Sequence, residues 1–248
     1  AIVAGSLTMI GAAGVVGAPA AGAQAPPDCS LAVHVSAGEE RYVCRLYTDL
    51  LLRRSVPTDP ELAHWVGQLR TVGRSAVTRA LTHSDESYRA LIRSAYTELL
   101  LRAGDSGGIA YWVDLLRRGL PLEVVEGVMV SSAEGFQAQG GSDNRQFAEA
   151  IFDLYLGRPA SQGEADHFAS LIVARGNNES GRAQTVIDII TSAEGRNRNA
   201  NGLYVYWLDR RADPGGQQHW AEQLRTRGYL EVVADFIATD EAFNVLGR

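Results

Sequence analysis

The residues of this chain that could do chemistry are acidic side chains, histidines and two cysteines. Adjacent carboxylates occur at Glu39 and Glu40 and again at Asp85 and Glu86. Paired carboxylates can act as acid and base in hydrolysis. These pairs, however, lie in a polar leader and at a helix start, where solvated or capping roles are typical. We therefore expect no catalytic residues.

Histidine is the next candidate, because it is a common metal ligand. His64, His167 and His219 each stand directly before a large aromatic residue. A metal site would need several of them in one coordination sphere, whereas packed helices lie about 8–10 Å apart. We expect surface or hydrogen-bonding roles, with no metal site and no cofactor. The sequence also lacks a phosphate-binding Gly loop, a Ser nucleophile elbow and a zinc signature.

The two cysteines, Cys29 and Cys44, predict a disulfide, since metal or thiol chemistry would need partners at short spacing. Its loop should contribute about 3 kcal/mol. Residues 1–25 carry no charge and end in Ala-x-Ala triplets, which predicts a secretory signal peptide. A retained membrane anchor is the alternative, but Gly and Pro interrupt the roughly 20 apolar residues that a span requires. Residues 26–40 read as an extended leader.

Composition narrows the function further. The net charge is −6, and all 23 basic residues are Arg. Nucleic-acid binding normally needs a cationic face, so we expect no nucleic-acid partner. The absence of Lys from the sequence also excludes chemistry based on a lysine amine.

A segment of about 50 residues recurs four times. Each copy opens with an aromatic residue, followed three and four positions later by apolar residues, which is one face of a helix. An Arg, a second large aromatic and a late Glu follow at nearly constant spacing. The members are the opening aromatics Tyr47, Tyr96, Phe152 and Tyr204; the arginines Arg53, Arg102, Arg158 and Arg210; the second aromatics Trp65, Trp112, Phe168 and Trp220; and the glutamates Glu86, Glu134, Glu194 and Glu241.

This recurrence predicts an all-α fold of four tandem three-helix repeats, packed as a helical array in which the aromatics form the core. The repeats are residues 41–92, 93–142, 143–200 and 201–248. The turn between the first and second helices of a repeat should gain backbone freedom from Gly107, Gly163 and Gly215. The second helix should be capped by Asp105, Ser161 and Asp213. Pro121 suits the first turn of a third helix. One helix should run from Asp85 to Arg102, whereas "AQGGSDN" and "GRNRNANG" should break later ones.

The Arg and Glu of each copy have two interpretations. They could form a row of anion- or glycan-binding sites. Arg also suits a helix C-terminus, and Ser131 and Thr191 have capping-box spacing to Glu134 and Glu194. We hypothesise that each Arg pairs with a Glu of the same or an adjacent repeat.

The aromatic, the "LLxR" or "YLGR", the "YW" or "HW" and the closing "SxE" together resemble a bacterial helical repeat of unknown function. That repeat is found in exported surface-layer, haemolysin-type and cell-envelope proteins, and is similar to the phycobilisome linker domain. The resemblance covers residues 41–246 and implies an exported, non-catalytic scaffold. No catalytic residues carry over, and the calcium-binding nonapeptides of haemolysin-type proteins are absent from this sequence.

We therefore expect a secreted or cell-surface protein that acts as a structural or protein-interaction module of the cell envelope. Its partner would be an envelope protein or glycan, and it would meet the membrane only through the signal peptide. The alternative is a carbohydrate-binding module that uses exposed Tyr111, Tyr206 or Tyr229. A glycan hydrolase, with carboxylates gathered from different repeats, is the third hypothesis. The oligomeric state does not follow from the sequence.

Overall fold

The computed structural model describes residues 28–32 and 34–248. The predicted signal peptide, residues 1–25, lies outside the described residues. Within them the secondary structure is helical and includes no strand, which confirms the all-α prediction. The helices are α1 Glu39–Arg45, followed directly by a π-helical turn Leu46–Leu50, α2 Asp59–Val72, α3 Arg74–Thr82, α4 Asp85–Leu99, α5 Ser106–Arg117, α6 Leu122–Ser131, α7 Ala133–Gly140, α8 Asn144–Leu156, α9 Gln162–Ala174, α10 Glu179–Ile190, α11 Ala193–Leu208, α12 Pro214–Thr226, α13 Tyr229–Ile237 and α14 Asp240–Leu246.

Side-chain caps begin many of these helices. Asp105, Ser161 and Asp213 cap α5, α9 and α12 as predicted, each accepting a hydrogen bond from the backbone N–H three residues on. Pro121 precedes α6 as its N-cap residue rather than lying in the first turn.

The predicted caps at Ser131 and Thr191 are wrong by one residue. Ser131 is the last residue of α6, and Thr191 follows the last residue of α10. The next residues, Ser132 and Ser192, accept the capping hydrogen bonds of α7 and α11. Helices α7 and α11 therefore each begin one residue later than the capping-box spacing predicts.

The predicted break at "GRNRNANG" is also wrong, because α11 is continuous through it. Its Gly and Asn residues serve tertiary contacts instead. A Cβ on Gly195 would collide with the Ile190 backbone oxygen. The Asn201 side chain accepts a hydrogen bond from the Ala212 backbone at 3.1 Å. The break predicted at "AQGGSDN" is confirmed, since Gly141 adopts a left-handed conformation between α7 and α8.

Helix α4 stops at Leu99, three residues short of the predicted end. Leu101 turns left-handed with φ 53°, and the Tyr96 carbonyl accepts hydrogen bonds from the backbone N–H of both Leu100 and Arg102. Left-handed residues also stand directly before the other three arginines of the recurring segment. They are Leu52, Gly157 and Asp209.

The core is formed where helices distant in sequence pack together. The most extensive such contacts join α6 to α10 and α3 to α13. Met129 of α6, Ile151 of α8 and Val232 of α13 are completely buried.

The beginning and the end of the described chain meet. The Gly38 N–H donates to the Gly247 carbonyl at 2.7 Å, and the Tyr42 ring lies 4.9 Å from the Phe243 ring. Helices α7 and α8, which adjoin in sequence, make the equivalent aromatic contact between Phe136 and Phe147 at 5.3 Å. An aromatic pair thus joins α14 to α1 as well as α7 to α8.

The disulfide prediction is confirmed. Cys29 and Cys44 are bonded, with their Cα atoms 5.9 Å apart, and both are buried. The bridge ties the leader to α1.

Candidate functional site

The four predicted arginines occupy the same kind of place. Each guanidinium lies over the ring of its own opening aromatic and pairs with the late Glu of the same segment. We call this arrangement of Arg, aromatic ring and Glu an arginine clamp. The distances from guanidinium carbon to ring centre are 4.5 Å for Arg53 and Tyr47, 4.9 Å for Arg102 and Tyr96, 5.1 Å for Arg158 and Phe152, and 4.6 Å for Arg210 and Tyr204. The paired carboxylates belong to Glu86, Glu134, Glu194 and Glu241.

The backbone explains this geometry. The left-handed residue before each Arg ends the first helix and turns the chain, so that the Arg lies over the aromatic six residues earlier. Each Glu is the second residue of its helix, one turn from a Ser or Thr cap. The positive end of that helix dipole favours a carboxylate there. The hypothesis that each Arg pairs with a Glu of the same or an adjacent segment is thus observed within segments.

Two of the clamps contain a second carboxylate at close range. Arg158 also donates to Glu164 at 2.7 Å, and Arg53 donates to Glu61 at 2.6 Å. The Arg158 hydrogen bond and the Ser161 backbone N–H hold the pKa of Glu164 at about 2. These guanidinium donors are used within the molecule, which argues against the row of anion-binding sites.

The aromatics differ in burial. The opening aromatics and Trp220 are buried, whereas Trp65, Trp112 and Phe168 are only half-buried. The Trp65 indole N–H donates to the Tyr47 hydroxyl at 2.7 Å. The prediction that all these rings form the core therefore holds for the opening aromatics and needs correction for three of the second ones.

The residues before the second aromatics do not gather. His64, His167 and His219 are exposed, and each stacks edge-on against the aromatic that follows it, about 5 Å away. Tyr111 makes the same contact with Trp112 at 5.1 Å. In the part of the chain that the structure describes, no three His, Cys, Asp or Glu side chains are arranged as ligands of one metal ion.

The tyrosines expected to be exposed are mostly not. Tyr111 is 60% exposed, but Tyr229 is buried. Tyr206 is half-buried and its hydroxyl donates to the Asp49 carbonyl at 3.0 Å. Both were expected at the surface because aromatic spacing alone does not show which neighbour will cover a ring.

Of the four carboxylates singled out in the sequence, three form ion pairs and one accepts a backbone hydrogen bond. Asp85 pairs with Arg117, and Glu39 pairs with Arg70 at 2.6 Å. Glu40 accepts a hydrogen bond from the Ser36 backbone. Glu86 belongs to a clamp. These acids are stabilising surface groups, as their position at helix starts indicates.

A different set of acids surrounds a cleft between α6, α8, α11, α12 and α13. The cleft encloses a cavity of about 30 Å³, and Glu123, Glu126, Tyr155 and Tyr229 line it. We call it the acidic cleft. Leu122, Ile190 and Leu224 form its apolar wall, and Thr191, Arg196 and Asn199 complete the lining.

The acids of this cleft have no cationic partner. Glu126 is only 4% exposed, and no salt bridge within residues 28–32 and 34–248 includes Glu98, Glu123 or Glu126. Burial raises the pKa of Glu126 far above its usual range, and the nearby carboxylates of Glu123 and Glu98 raise it further. Burial also raises the pKa of Glu98 to about 8 and raises that of Glu123.

A hydroxyl in the cleft is unpaired as well. Tyr155 is 2% exposed, and its hydroxyl has no hydrogen-bond partner among the described residues. Buried polar groups without partners are uncommon and costly. Burial raises the pKa of Tyr155 well above its usual range, and the nearby carboxylates of Glu126 and Glu98 raise it further.

Sequence reasoning missed these residues, although a signal for one of them exists. Glu126 stands four residues after Leu122 and three before Met129 in "LEVVEGVMV". That spacing puts a carboxylate on the apolar face of a helix. Glu98 and Tyr155 carry no such signal, because only packing brings α4 and α8 to α6.

Neither a protein-family model nor a curated protein matches this chain. Among the described residues, no helix combines the length and apolar character needed to cross a membrane.

Proposed function

We propose that this protein is an exported, non-catalytic helical repeat module of the cell envelope. The observation that carries the proposal is the arginine clamp, which recurs once in each of the segments 41–92, 93–142, 143–200 and 201–248. The same residues perform the same packing task in each segment, as expected when a repeat is under selection for stability. The resemblance to the bacterial helical repeat of envelope proteins agrees with this function.

The first and last of the four segments contact each other through α1 and α14. This contact includes an aromatic pair, as the contact of α7 with α8 does. Arg74 lies 4.8 Å from the Phe243 ring, and Arg182 lies 4.1 Å from the Phe136 ring. The contact gives both the first and the last segment a packing neighbour.

The clamps support a structural role for the signature residues. Their guanidinium groups are already bonded to carboxylates, so binding would fall to other parts of the surface. A partner is accordingly a protein or glycan of the envelope, bound without a cofactor. The disulfide between Cys29 and Cys44 supports export, because such bonds persist in oxidising compartments.

A carbohydrate-binding module remains the second hypothesis, supported by the 60% exposed Tyr111. Sugar binding by aromatic platforms would have to rely on this residue, since Tyr206 and Tyr229 are covered. A glycan hydrolase is less well supported. Its two carboxylates need pKa values pushed apart, whereas the pKa values of Glu98, Glu123 and Glu126 are all raised.

The experiment captures envelope components of the source organism on the immobilised chain from residue 26 onward. We expect an envelope protein to be retained, and polysaccharide alone would favour the carbohydrate-binding hypothesis. Arg102→Ala should lower the melting temperature while the folded variant still captures the partner. Unchanged melting with lost capture would contradict the structural role of the clamps.

A further inference from the structure

Two halves of this chain, α1–α7 and α8–α14, are joined by one short turn. Within each half, a continuous helix runs from one recurring segment into the next, α4 in the first half and α11 in the second. Between the halves lie only Gly141, Ser142 and Asp143, and the first two have positive φ angles of 57° and 68°. A left-handed conformation is strained for a serine. The halves can therefore separate at this turn without breaking a helix.

The junction at the other side of the molecule is not covalent, yet it has equivalent contacts. The Asp143 N–H donates to the Gly140 carbonyl at 2.9 Å within the turn. The Gly38 N–H donates to the Gly247 carbonyl at 2.7 Å, between residues that are far apart in the chain. The same joint thus forms once with a peptide connection and once without it.

Side chains repeat this equivalence. At each junction an Arg lies over a Phe ring and donates to a backbone carbonyl of the other half. The two sets are Arg74 with Phe243 and the Thr239 carbonyl, and Arg182 with Phe136 and the Ser131 carbonyl. Helix α3 packs on α13, and α10 packs on α6. These two contacts change into each other when the halves change places, so each half presents the same pattern of helices to the other.

Charge decides which half fits which. Across the α3–α13 contact, Arg79 donates to Glu231 at 3.2 Å and to Asp235 at 3.0 Å. At the α10–α6 contact, a Cβ on Gly127 would lie 2.8 Å from the Ile187 side chain, so the two helices approach closely there. The surface that suits a first half is therefore a second half, from the same copy or from another.

We propose that two copies of this chain form a dimer by exchanging halves, so that α1–α7 of each copy pack on α8–α14 of the other and residues 141–143 serve as the hinge. The exchange restores the contacts between halves and relieves the strained turn, and short strained hinges favour such exchange. It is opposed by the closeness that the short turn gives the two halves of one copy. The dimer goes beyond the scaffold function and does not depend on an envelope partner.

The experiment unfolds and refolds two full-chain variants together, Arg79→Glu and Glu231→Arg, with the disulfide kept oxidised. Mass is measured by size exclusion with light scattering. Each variant alone has like charges across the α3–α13 contact. In an exchanged dimer of one copy of each, one interface unites the two substituted positions with opposite charges, and the other interface is that of wild type. The mixture should therefore contain about tenfold more dimer than either variant alone.

The matched control is a charge pair within one half. Arg117 and Asp85 both belong to the first half, so exchange cannot bring Arg117→Glu and Asp85→Arg together. Their mixture should contain no more dimer than either variant alone.

A shortened hinge gives a second measurement. A chain lacking Gly141 and Ser142 should be a helical dimer, because its connection is too short to close within one copy. No gain of dimer in the first mixture, an equal gain in the control mixture, or a folded monomer of the shortened chain would each overturn the proposal. The charged side chains are partly exposed, so each charge variant should fold. If one does not fold alone, the mixture should restore its helical circular dichroism, and failure to do so would also overturn the proposal.

Discussion

The arginine clamps and the acidic cleft place the same residue type, glutamate, in opposite surroundings. In a clamp, the Arg158 guanidinium and helix-start N–H groups hold the pKa of Glu164 at about 2. Near Glu126 of the cleft, burial without a cation raises the pKa of Glu98 to about 8. The clamps lie near the surface and secure the joints between helices, whereas the cleft lies where distant helices meet. A carboxylate stabilises this fold where a cation accompanies it and destabilises the fold where none does.

The largest expected effect concerns the opening aromatic beneath a clamp arginine. Phe152 is 2% exposed beneath Arg158, so Phe152→Ala should lower the free energy of unfolding by about 3–5 kcal/mol. Phe168 touches the same ring from 5.3 Å but is only half-buried. Phe168→Ala should therefore cost clearly less in urea denaturation. Equal losses would mean that the opening aromatic has no special part in the clamp.

The buried carboxylates at the cleft should lower the free energy of unfolding at alkaline pH. A raised folded-state pKa gives stability that is present below the unfolded value of 4.5 and is lost as pH rises through about 8 for Glu98, and higher for Glu126. The free energy of unfolding should thus fall between about pH 5 and pH 9. Glu126→Gln should regain on the order of 2 kcal/mol at pH 9.

Clamp acids should respond in the opposite direction. The pKa of Glu164 is lowered, so its contribution is present above the unfolded value of 4.5 and is lost as pH falls through about 2. Glu164→Gln should change the stability at acid pH and leave the loss of stability at alkaline pH unchanged.

If Glu126→Gln proved less stable than wild type at pH 9, the contrast between the two regions would fail.

Removing the cation of a clamp should have an intermediate effect. Arg53 is 28% exposed and bonds both Glu61 and Glu86. Arg53→Ala should cost about 1–2 kcal/mol by thermal or urea unfolding, since the group is partly screened by solvent. The neighbouring Arg54 is exposed and serves as the control. Similar losses for both variants would show that the pairing contributes little.

The smallest expected effect concerns the turn before a clamp arginine. Leu101 is 65% exposed and has φ 53°, a conformation that suits glycine. Leu101→Gly should therefore gain about 0.5 kcal/mol, the relief of strain exceeding the added freedom of the unfolded chain. Gly157→Ala, at the equivalent turn, should lose stability, because an L side chain is strained at its φ of 64°. A loss at both positions would mean that the left-handed turn is not strained at Leu101.

The sequence by itself determined the local features of this protein. Caps at Asp105, Ser161 and Asp213, the disulfide and the all-α character follow from residues that interact within a few turns or one short loop. The recurring Arg and Glu also led to the prediction that they pair, as they do in each segment. Each clamp spans only about 40 residues of one segment, and helix periodicity fixes which side chains share a face.

Only the tertiary structure decided what happens between segments. In the folded protein Tyr229 is buried and α11 is continuous through "GRNRNANG". Helix α14 contacts α1, and Tyr155 and Glu126 line the same cleft. Periodicity tells which face of a helix is apolar but not which distant face will cover it. An unpaired acid at such a meeting point arises from packing of whole helices, and no spacing along the chain encodes it.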